Sequence, residues 1–134
     1  MKLQPPSLLI TDDDRDFRET LRGVFEPRGY QTLLAADGDE ALDIVQRQAV
    51  HLVLLDMHMP RLSGLETIRR IRQLPLDVVL PCILISAALD AEIEEEARRQ
   101  RAFSVLSKPV RLREITGLVQ QALFQTYDWR PDVA

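Results

Sequence analysis

The sequence predicts an α/β protein in which helices cover both faces of a parallel five-stranded sheet, a doubly wound (βα)5 sandwich of three layers. Short apolar runs alternate with longer amphipathic segments five times along the chain. The run at residues 51–55 is apolar after its first residue, which is typical of a strand buried on both faces. Strands and helices in this alternation connect through right-handed crossovers, so the strands are expected to run parallel.

The first half of the chain predicts two strands and two helices. An apolar run at residues 7–11 ends in three aspartates, and acids at this position favour the start of a helix. Pro27 and Gly29 end that helix, and residues 30–36, which begin with β-forming side chains, predict the second strand. The apolar stripes of the two helices are Phe17, Leu21, Val24 and Phe25, then Ala41, Leu42, Val45 and Ala49.

The second half repeats the alternation three times. The third strand ends at Asp56, a loop covers residues 57–63, and Gly64 begins the next helix. The fourth strand covers 81–85, and the helix at 90–101 is strongly charged with a thin apolar stripe, which makes it a candidate mobile element. The fifth strand covers 102–107 and precedes the last helix. We predict one domain over residues 1–126, with residues 127–134 as a short polar tail or the start of a linker.

Composition restricts the class of protein. Of 134 residues, 46% are hydrophobic and 28% charged, the balance of a globular domain. The net charge of −4, from 17 basic and 21 acidic residues, argues against a domain that binds a nucleic-acid backbone or an anionic membrane. A lone cysteine, Cys82, excludes an internal disulfide framework and a multi-cysteine zinc site. Residues 1–6 contain no secretory h-region and no stretch approaches the ~20 apolar residues of a membrane span, so a cytoplasmic location is expected.

Polar residues follow four of the five predicted strands. Ligands of open α/β sheets bind at the carboxyl ends of the strands, near the point where strand order reverses. The first strand brings Asp12 and Asp13 to that edge, the third Asp56, the fourth Ser86 and the fifth Lys108. Each residue alone is explained as a helix cap, a turn residue or a solvated side chain. These separate explanations do not account for the joint occurrence of all five residues at one edge of the sheet.

These residue types point to phosphoryl chemistry. Converging carboxylates repel one another unless a cation or a proton intervenes. Oxygen ligands favour a hard divalent ion, and a partly hydrated Mg²⁺ suits one or two carboxylates together with phosphate oxygens. A lysine ammonium suits a phosphoryl oxygen, and a serine hydroxyl adds a donor. The pattern indicates a carboxylate that accepts a phosphoryl group while Mg²⁺ and Lys108 neutralise the charge in transfer.

Four motifs resemble, in order, the receiver domain of bacterial two-component response regulators. They are LLITDDD at 8–14, LVLLDMHMPRLSG at 52–64, ILISA at 83–87 and LSKP at 106–109. The resemblance runs from about Leu8 to Phe124, and the segment that contains Asp56 is its most specific part. It implies a flavodoxin-like fold with strand order 2-1-3-4-5. It also implies a phosphorylation-dependent switch that receives its phosphoryl group from a sensor histidine kinase or a phosphotransfer protein.

The resemblance implies a phosphoacceptor and a set of metal ligands. Asp56 would carry the phosphoryl group and would also ligate Mg²⁺. Asp13 would ligate the ion directly, Asp12 mainly through water, and His58 through its backbone carbonyl. The His58 imidazole has no implied role, and we expect it to be solvated and paired with a carboxylate rather than to take part in phosphoryl transfer.

The remaining site residues would act on the bound phosphoryl group. Ser86 would be the hydroxyl that moves to bind it, and Lys108 would form an ion pair with it. Pro109 would follow a cis peptide bond, and the small Ala87 would leave room for the phosphodonor. A downstream effector would then bind the face formed by the fourth helix, the fifth strand and the fifth helix.

Two positions depart from the family pattern. Val105 stands where the family usually has an aromatic residue that swings inward on activation, so the coupling of Ser86 to the effector face is open. Arg101 stands where a glycine is common, and a positive φ there would strain an arginine. The apolar segment 78–80 is expected to tuck under the sheet, with a partner contact as the alternative.

Two other functions remain open at this point. A pseudo-receiver would bind partners without phosphorylation, and only Val105 supports it. A phosphatase of the haloacid dehalogenase type would carry a second aspartate at the position of His58, and it would have a cap domain. As a switch, the domain would catalyse only its own Mg²⁺-dependent phosphorylation and dephosphorylation and would not be an enzyme with a separate substrate. The sequence does not decide whether the chain forms a homodimer.

Overall fold

The structure, a computed structural model, describes residues 5–131, in which strands and helices alternate as predicted. Within these residues, no helix combines the length and the apolar character that a membrane span requires. A short 3-10 turn, Glu26–Arg28, follows the first helix. The strands are β1 (Ser7–Thr11), β2 (Gln31–Ala35), β3 (Leu52–Asp56), β4 (Cys82–Ser86) and β5 (Ser104–Ser107). The helices are α1 (Arg15–Phe25), α2 (Gly38–Arg47), α3 (Gly64–Arg72), α4 (Ala91–Arg99) and α5 (Leu112–Tyr127).

The strands form one parallel sheet in the order β2-β1-β3-β4-β5, which confirms the fold class and the strand order that the family resemblance implied. Thr11 lies opposite Leu55, and Asp56 lies opposite Ile85. The carboxyl ends of β1, β3 and β4 therefore meet along one edge of the sheet. Strand order reverses between β1 and β3, which opens a crevice at that edge.

The three central strands are buried along their whole length. Leu8 and Ile10 belong to a core that includes residues of α1 and α5, whereas Leu9 belongs to a core that includes residues of α2 and α3. Burying a leucine or isoleucine side chain contributes about 1.5–3 kcal/mol. The strand ends that carry the polar residues are thus fixed by packing on both faces of the sheet.

Side-chain caps begin four of the five helices. The residues Asp14, Asp37, Ser63 and Asp90 each accept hydrogen bonds from backbone N–H groups in the first turn of α1, α2, α3 and α4. The aspartate triplet therefore divides into two parts. Asp14 caps α1, and Asp12 and Asp13 remain available at the end of β1.

The chain beyond residue 126 packs on the domain to a greater extent than the predicted polar tail implied. Helix α5 includes Tyr127, whose hydroxyl donates to the backbone carbonyl of His51 at 2.8 Å. Asp128 adopts a left-handed conformation, and Trp129 then lies against Tyr30 with ring centroids 5.4 Å apart. The contacts of Tyr127 and Trp129 explain why this segment packs on the domain. The division into a domain over 1–126 and a tail stays a prediction, and residues 1–4 and 132–134 lie outside the described part of the chain.

Two sequence expectations concern the loop between α4 and β5 and the segment before β4. Arg101 has a φ of 59°, so the positive φ considered at this position is present, at a residue for which this conformation is unfavourable. In the segment 78–80, only Leu80 tucks under the sheet, with 2% of its surface exposed. Val78 and Val79 are 43% and 49% exposed, so for these two residues the expectation was wrong. The polypeptide turns inward at Leu80, just before β4.

Replacing Gly64 with alanine is expected to destabilise the protein by about 1–3 kcal/mol, because the new methyl group overpacks a filled site. A Cβ atom at Gly64 would lie 2.5 Å from the carbonyl oxygen of Asp56 and 2.6 Å from the Leu84 side chain. Urea unfolding would measure the loss. Gly23→Ala is the matched control, because a Cβ there meets no atom within 4 Å, and it is expected to stabilise α1 by about 0.5–1 kcal/mol. Equal effects of both substitutions would contradict the packing described.

Candidate functional site

Three aspartates converge at the crevice between β1 and β3. Asp12 and Asp13 follow β1, Asp56 ends β3, and one carboxylate oxygen from each lies within 4.8 Å of the other two. Asp12 and Asp56 are buried, with 1% and 5% of their surfaces exposed, whereas Asp13 is exposed. One Asp12 carboxylate oxygen accepts a hydrogen bond from the Asp14 N–H at 2.8 Å, which fixes its orientation.

The ammonium group of Lys108 lies between two of these carboxylates. Its Nζ is 3.2 Å from Oδ1 of Asp56 and 3.3 Å from Oδ2 of Asp12. The backbone holds Lys108 at this position, since its N–H donates to the Ser86 carbonyl at 2.9 Å. The peptide bond between Lys108 and Pro109 is cis, as the resemblance implied.

Ser86 completes the set from the end of β4. Its side chain is buried, and its hydroxyl oxygen accepts a hydrogen bond from the Ala88 N–H at 3.1 Å. The exposed imidazole of His58 lies with Nε2 3.3 Å from the same hydroxyl. Among the described residues, no carboxylate lies within ion-pair distance of His58, so its predicted pairing with a carboxylate is not observed.

The site also contains two residues that the sequence analysis did not assign to it. The Phe17 ring lies under the Lys108 ammonium, 4.4 Å from Nζ to the ring centroid, and a cation in this position is attracted to the ring face. The guanidinium of Arg18 donates to the backbone carbonyl of Asp12 at 2.6 Å. Phe17 had been assigned only to the apolar stripe of α1. A sequence pattern cannot distinguish these two uses of an aromatic residue.

Burial and charge act in opposite directions on the titration of the site. Burial raises the pKa of Asp56, and the Lys108 ammonium opposes this increase. Burial also raises the pKa of Asp12, which the neighbouring Asp56 carboxylate raises further. Burial alone would lower the pKa of Lys108, but the carboxylates of Asp12 and Asp56 outweigh it and the net shift is upward. The site is therefore an ammonium within a cluster of acids that are costly to ionise together.

The raised pKa of Asp12 predicts that this residue reduces stability at neutral pH. Because the folded-state pKa exceeds the unfolded one, stability from this group is present at low pH and is lost as the pH rises through the folded pKa. Asp12→Asn keeps an oxygen that can accept the Asp14 N–H. It should raise the free energy of unfolding of the metal-free protein at pH 7 by about 0.5–2 kcal/mol, the usual gain when a functional site is relaxed.

Urea unfolding with a chelator present, at pH 7 and at pH 4, checks this expectation. The gain from Asp12→Asn should shrink at pH 4. Asp43→Asn is the control, because Asp43 forms an exposed ion pair with Arg47, and pairs of this kind contribute at most about 1 kcal/mol. A loss of stability in the Asp12 variant at pH 7 would show that the Asp12–Lys108 ion pair outweighs the burial of the carboxylate.

The donor set of the crevice fits a hard divalent cation. Three carboxylates with oxygens so close together carry more negative charge than one ammonium compensates. Oxygen-only sites of this kind prefer Mg²⁺ or Ca²⁺ over softer metals, and the exposed Asp13 leaves one side open to water or to phosphate oxygens. The residues present therefore suit the Mg²⁺ that the sequence predicted.

The chain belongs to the response regulator receiver domain family. Its residues 8–120 match the sequence pattern of that family. It is 35% identical over 116 residues to sporulation initiation phosphotransferase F of Bacillus subtilis, and the match covers 87% of this chain and 92% of that protein. It is 40% identical over 123 residues to the response regulator MprA of Mycobacterium sp. (strain KMS), covering 91% of this chain but 52% of that protein. The chain thus spans about half the length of the second relative.

Solved structures show the same architecture. A response regulator receiver protein from Pseudomonas putida superposes with a TM-score of 0.83 at 30% identity, covering 87% of this chain and 97% of that one. The chemotaxis protein CheY4 of Vibrio cholerae superposes with a TM-score of 0.84 at 24% identity, covering 89% and 99%. Family membership makes phosphorylation-based signalling the broad function of the domain.

Proposed function

We propose that this domain is a cytoplasmic switch in which Asp56 accepts a phosphoryl group from a sensor histidine kinase or a phosphotransfer protein. The position of the Lys108 ammonium, about equally distant from Asp12 and Asp56, carries the proposal. It stands where negative charge would otherwise accumulate as a phosphoryl group approaches Asp56. The pairing of one lysine with two buried acids at a crevice suits group transfer better than it suits stability.

The transfer step requires Asp56 in its ionised form. An Asp56 carboxylate oxygen forms a bond to phosphorus while the bond from phosphorus to the donor atom breaks, and the donor retains that electron pair. The nearby Lys108 favours ionisation of Asp56 and so opposes the effect of burial on its pKa. Catalysis of this kind consists mainly of positioning and charge neutralisation.

Mg²⁺ would be held by Asp12, Asp13, Asp56 and the His58 backbone carbonyl. When bound, the ion neutralises charge on the phosphoryl oxygens. The exposed Asp13 lies on the solvent side of the three carboxylates, and the buried Asp12 on the interior side. Of the three carboxylates, those of Asp12 and Asp56 form ion pairs with the Lys108 ammonium. A divalent cation would therefore balance the acids that Lys108 alone leaves uncompensated.

Ser86 would transmit the state of Asp56 to the rest of the domain. Its hydroxyl oxygen accepts a hydrogen bond from the Ala88 N–H and lies near the His58 ring, and its O–H would turn away from these neighbours to donate to a phosphoryl oxygen at Asp56. Since Ala88 lies in the loop before α4, this movement of the hydroxyl would shift α4. The effector would read that shift at the face formed by α4, β5 and α5. Val105 is half-buried and packs against the core that contains Ala97 of α4.

Intact-protein mass spectrometry after incubation with acetyl phosphate tests the proposed function. With Mg²⁺ present, the protein should gain one phosphoryl group, and a chelator should suppress that gain by roughly 100-fold in rate, the scale on which charge neutralisation contributes to such transfers. Ca²⁺ and Mg²⁺ titrations of the same sample would show that the cation binds. Cation binding without a mass gain would instead favour a pseudo-receiver that binds its partners without phosphorylation.

A further inference from the structure

The last residue of α3, Arg72, joins α3 to the carboxyl-terminal end of α4. Its Nε donates to the Gln100 carbonyl at 2.9 Å, and its Nη2 donates to the Arg101 carbonyl at 3.0 Å. Its Nη1 donates to the Leu80 carbonyl, just before β4, at 2.7 Å. All three guanidinium nitrogens thus bind backbone oxygens from two separate segments of the chain.

Two of these bonds satisfy the carbonyls of the residues that directly follow α4, the cap Gln100 and Arg101. The last carbonyls of a helix have no partner within the helix, and a positive charge near them interacts favourably with the helix dipole. A planar guanidinium can reach several acceptors at once, whereas a lysine ammonium lacks that fixed fork. The left-handed conformation of Arg101, with a φ of 59°, presents one of the acceptors.

The two ends of α4 are held very unequally. At the carboxyl-terminal end, Ala97 is 1% exposed and its carbonyl accepts the Ala102 N–H at 3.0 Å, beside the acceptors of Arg72. At the other end, the cap Asp90 belongs to the same segment as the helix and bonds the Ile93 N–H. Asp90 and the first two residues of α4 are exposed, as Arg98 and Arg99 are at the carboxyl-terminal end. That end follows the loop in which the Ala88 N–H donates to the Ser86 hydroxyl. The end of α4 that is connected to the site is therefore the one opposite the bonds from Arg72.

We propose that Arg72 is a positioning residue that fixes the carboxyl-terminal end of α4 as a pivot. Phosphorylation then tilts the amino-terminal end of the helix and does not displace the helix as a whole. This rests on the proposed function, because the movement begins at Ser86. It assigns the changing part of the effector face to the first half of α4, whose exposed residues include Glu92 and Glu94.

Amide hydrogen exchange followed by NMR tests the pivot in the unphosphorylated protein. In Arg72→Gln, the amides of residues 100–102 should exchange at least about tenfold faster, since the bonds that order this segment are lost. The amides of Ile93 and Glu94, bonded to Asp90, should change by less than about twofold. Arg70→Gln is the matched control, because Arg70 lies in the last turn of the same helix and is exposed.

A second arm repeats the comparison after treatment with acetyl phosphate and Mg²⁺. In the unsubstituted protein, amide chemical shifts should change over residues 87–94 and stay nearly constant over 98–102, while Arg72→Gln should extend the changes into 98–102. If amide exchange became uniformly faster across the whole sheet in Arg72→Gln, Arg72 would have only a general role in stability, and the proposal would be overturned. Equal shift changes at both ends of α4 in the unsubstituted protein would also overturn it. Absence of a phosphoryl mass gain would count against the proposed function, and the exchange result would still decide whether Arg72 holds α4.

Discussion

An Asp56→Asn variant is expected to gain no phosphoryl group from acetyl phosphate, under conditions in which the unsubstituted protein is fully converted. The amide is close in shape to the carboxylate, but it is neutral and its nitrogen is a poor nucleophile, so the loss should be complete within detection. The fold should persist, because burial already disfavours the charged form of Asp56. Intact-protein mass measured over time checks the result.

The control for this prediction is a surface aspartate. Asp43→Asn removes one carboxylate, which pairs with the exposed Arg47, and it should be phosphorylated at the rate of the unsubstituted protein. If Asp56→Asn gained a phosphoryl group as quickly as the Asp43 variant, another residue would be the acceptor, and the proposed chemistry would be wrong.

Replacing Lys108 with glutamine is expected to slow phosphoryl transfer by roughly 100-fold or more, the usual cost of removing a preorganised charge from a transfer site. Glutamine retains a hydrogen-bond donor but removes the ammonium charge that pairs with the Asp12 and Asp56 carboxylates. The pKa of Asp56 should rise further, because Lys108 is the charge that opposes burial. The rate of mass gain with acetyl phosphate, measured between pH 5 and pH 8, should therefore fall. The pH range over which this rate increases should also move to higher pH.

Lys108→Arg separates charge from shape in the same assay. An arginine keeps the positive charge but replaces the compact ammonium with a planar fork, so it should restore part of the rate. Circular dichroism during thermal unfolding would confirm that each variant is folded. A glutamine variant within about threefold of the unsubstituted rate would mean that Lys108 serves stability and that its position between the carboxylates has no part in transfer.

The locations of Asp12, Asp56, Ser86 and Lys108 could be predicted because a parallel sheet imposes them. Once the alternation of strands and helices is recognised, the carboxyl ends of the strands must share one edge, and whatever residues follow the strands are brought together. The apolar periodicity was sufficient for this step. The strand order needed the family resemblance as well, since local patterns carry no information on which strands are neighbours.

Some contacts could not be predicted because they depend on where a side chain points in the folded protein. The sequence pattern of apolar and polar residues does not specify this. Phe17 belongs to an apolar stripe, and only the path of the chain after β5 places Lys108 over its ring. Arg72 lies at the end of a helix, and two of its three acceptors are backbone carbonyls 28 and 29 residues away. Trp129 stood in a segment of polar composition, yet it packs against Tyr30. A side chain that binds the backbone of a distant residue produces no periodic pattern in the sequence.

The measurement that tests the central claim most directly is the identity of the residue that carries the phosphoryl group. Hydride reduction of the acetyl phosphate-treated protein, followed by tandem mass spectrometry of its peptides, converts an acyl phosphate on an aspartate into a homoserine at that position. We expect homoserine at position 56 alone, in samples that contained Mg²⁺. A modified Asp12 or Asp13, or a stable phosphoryl group on Ser86 or His58, would contradict the assignment of Asp56 as the acceptor.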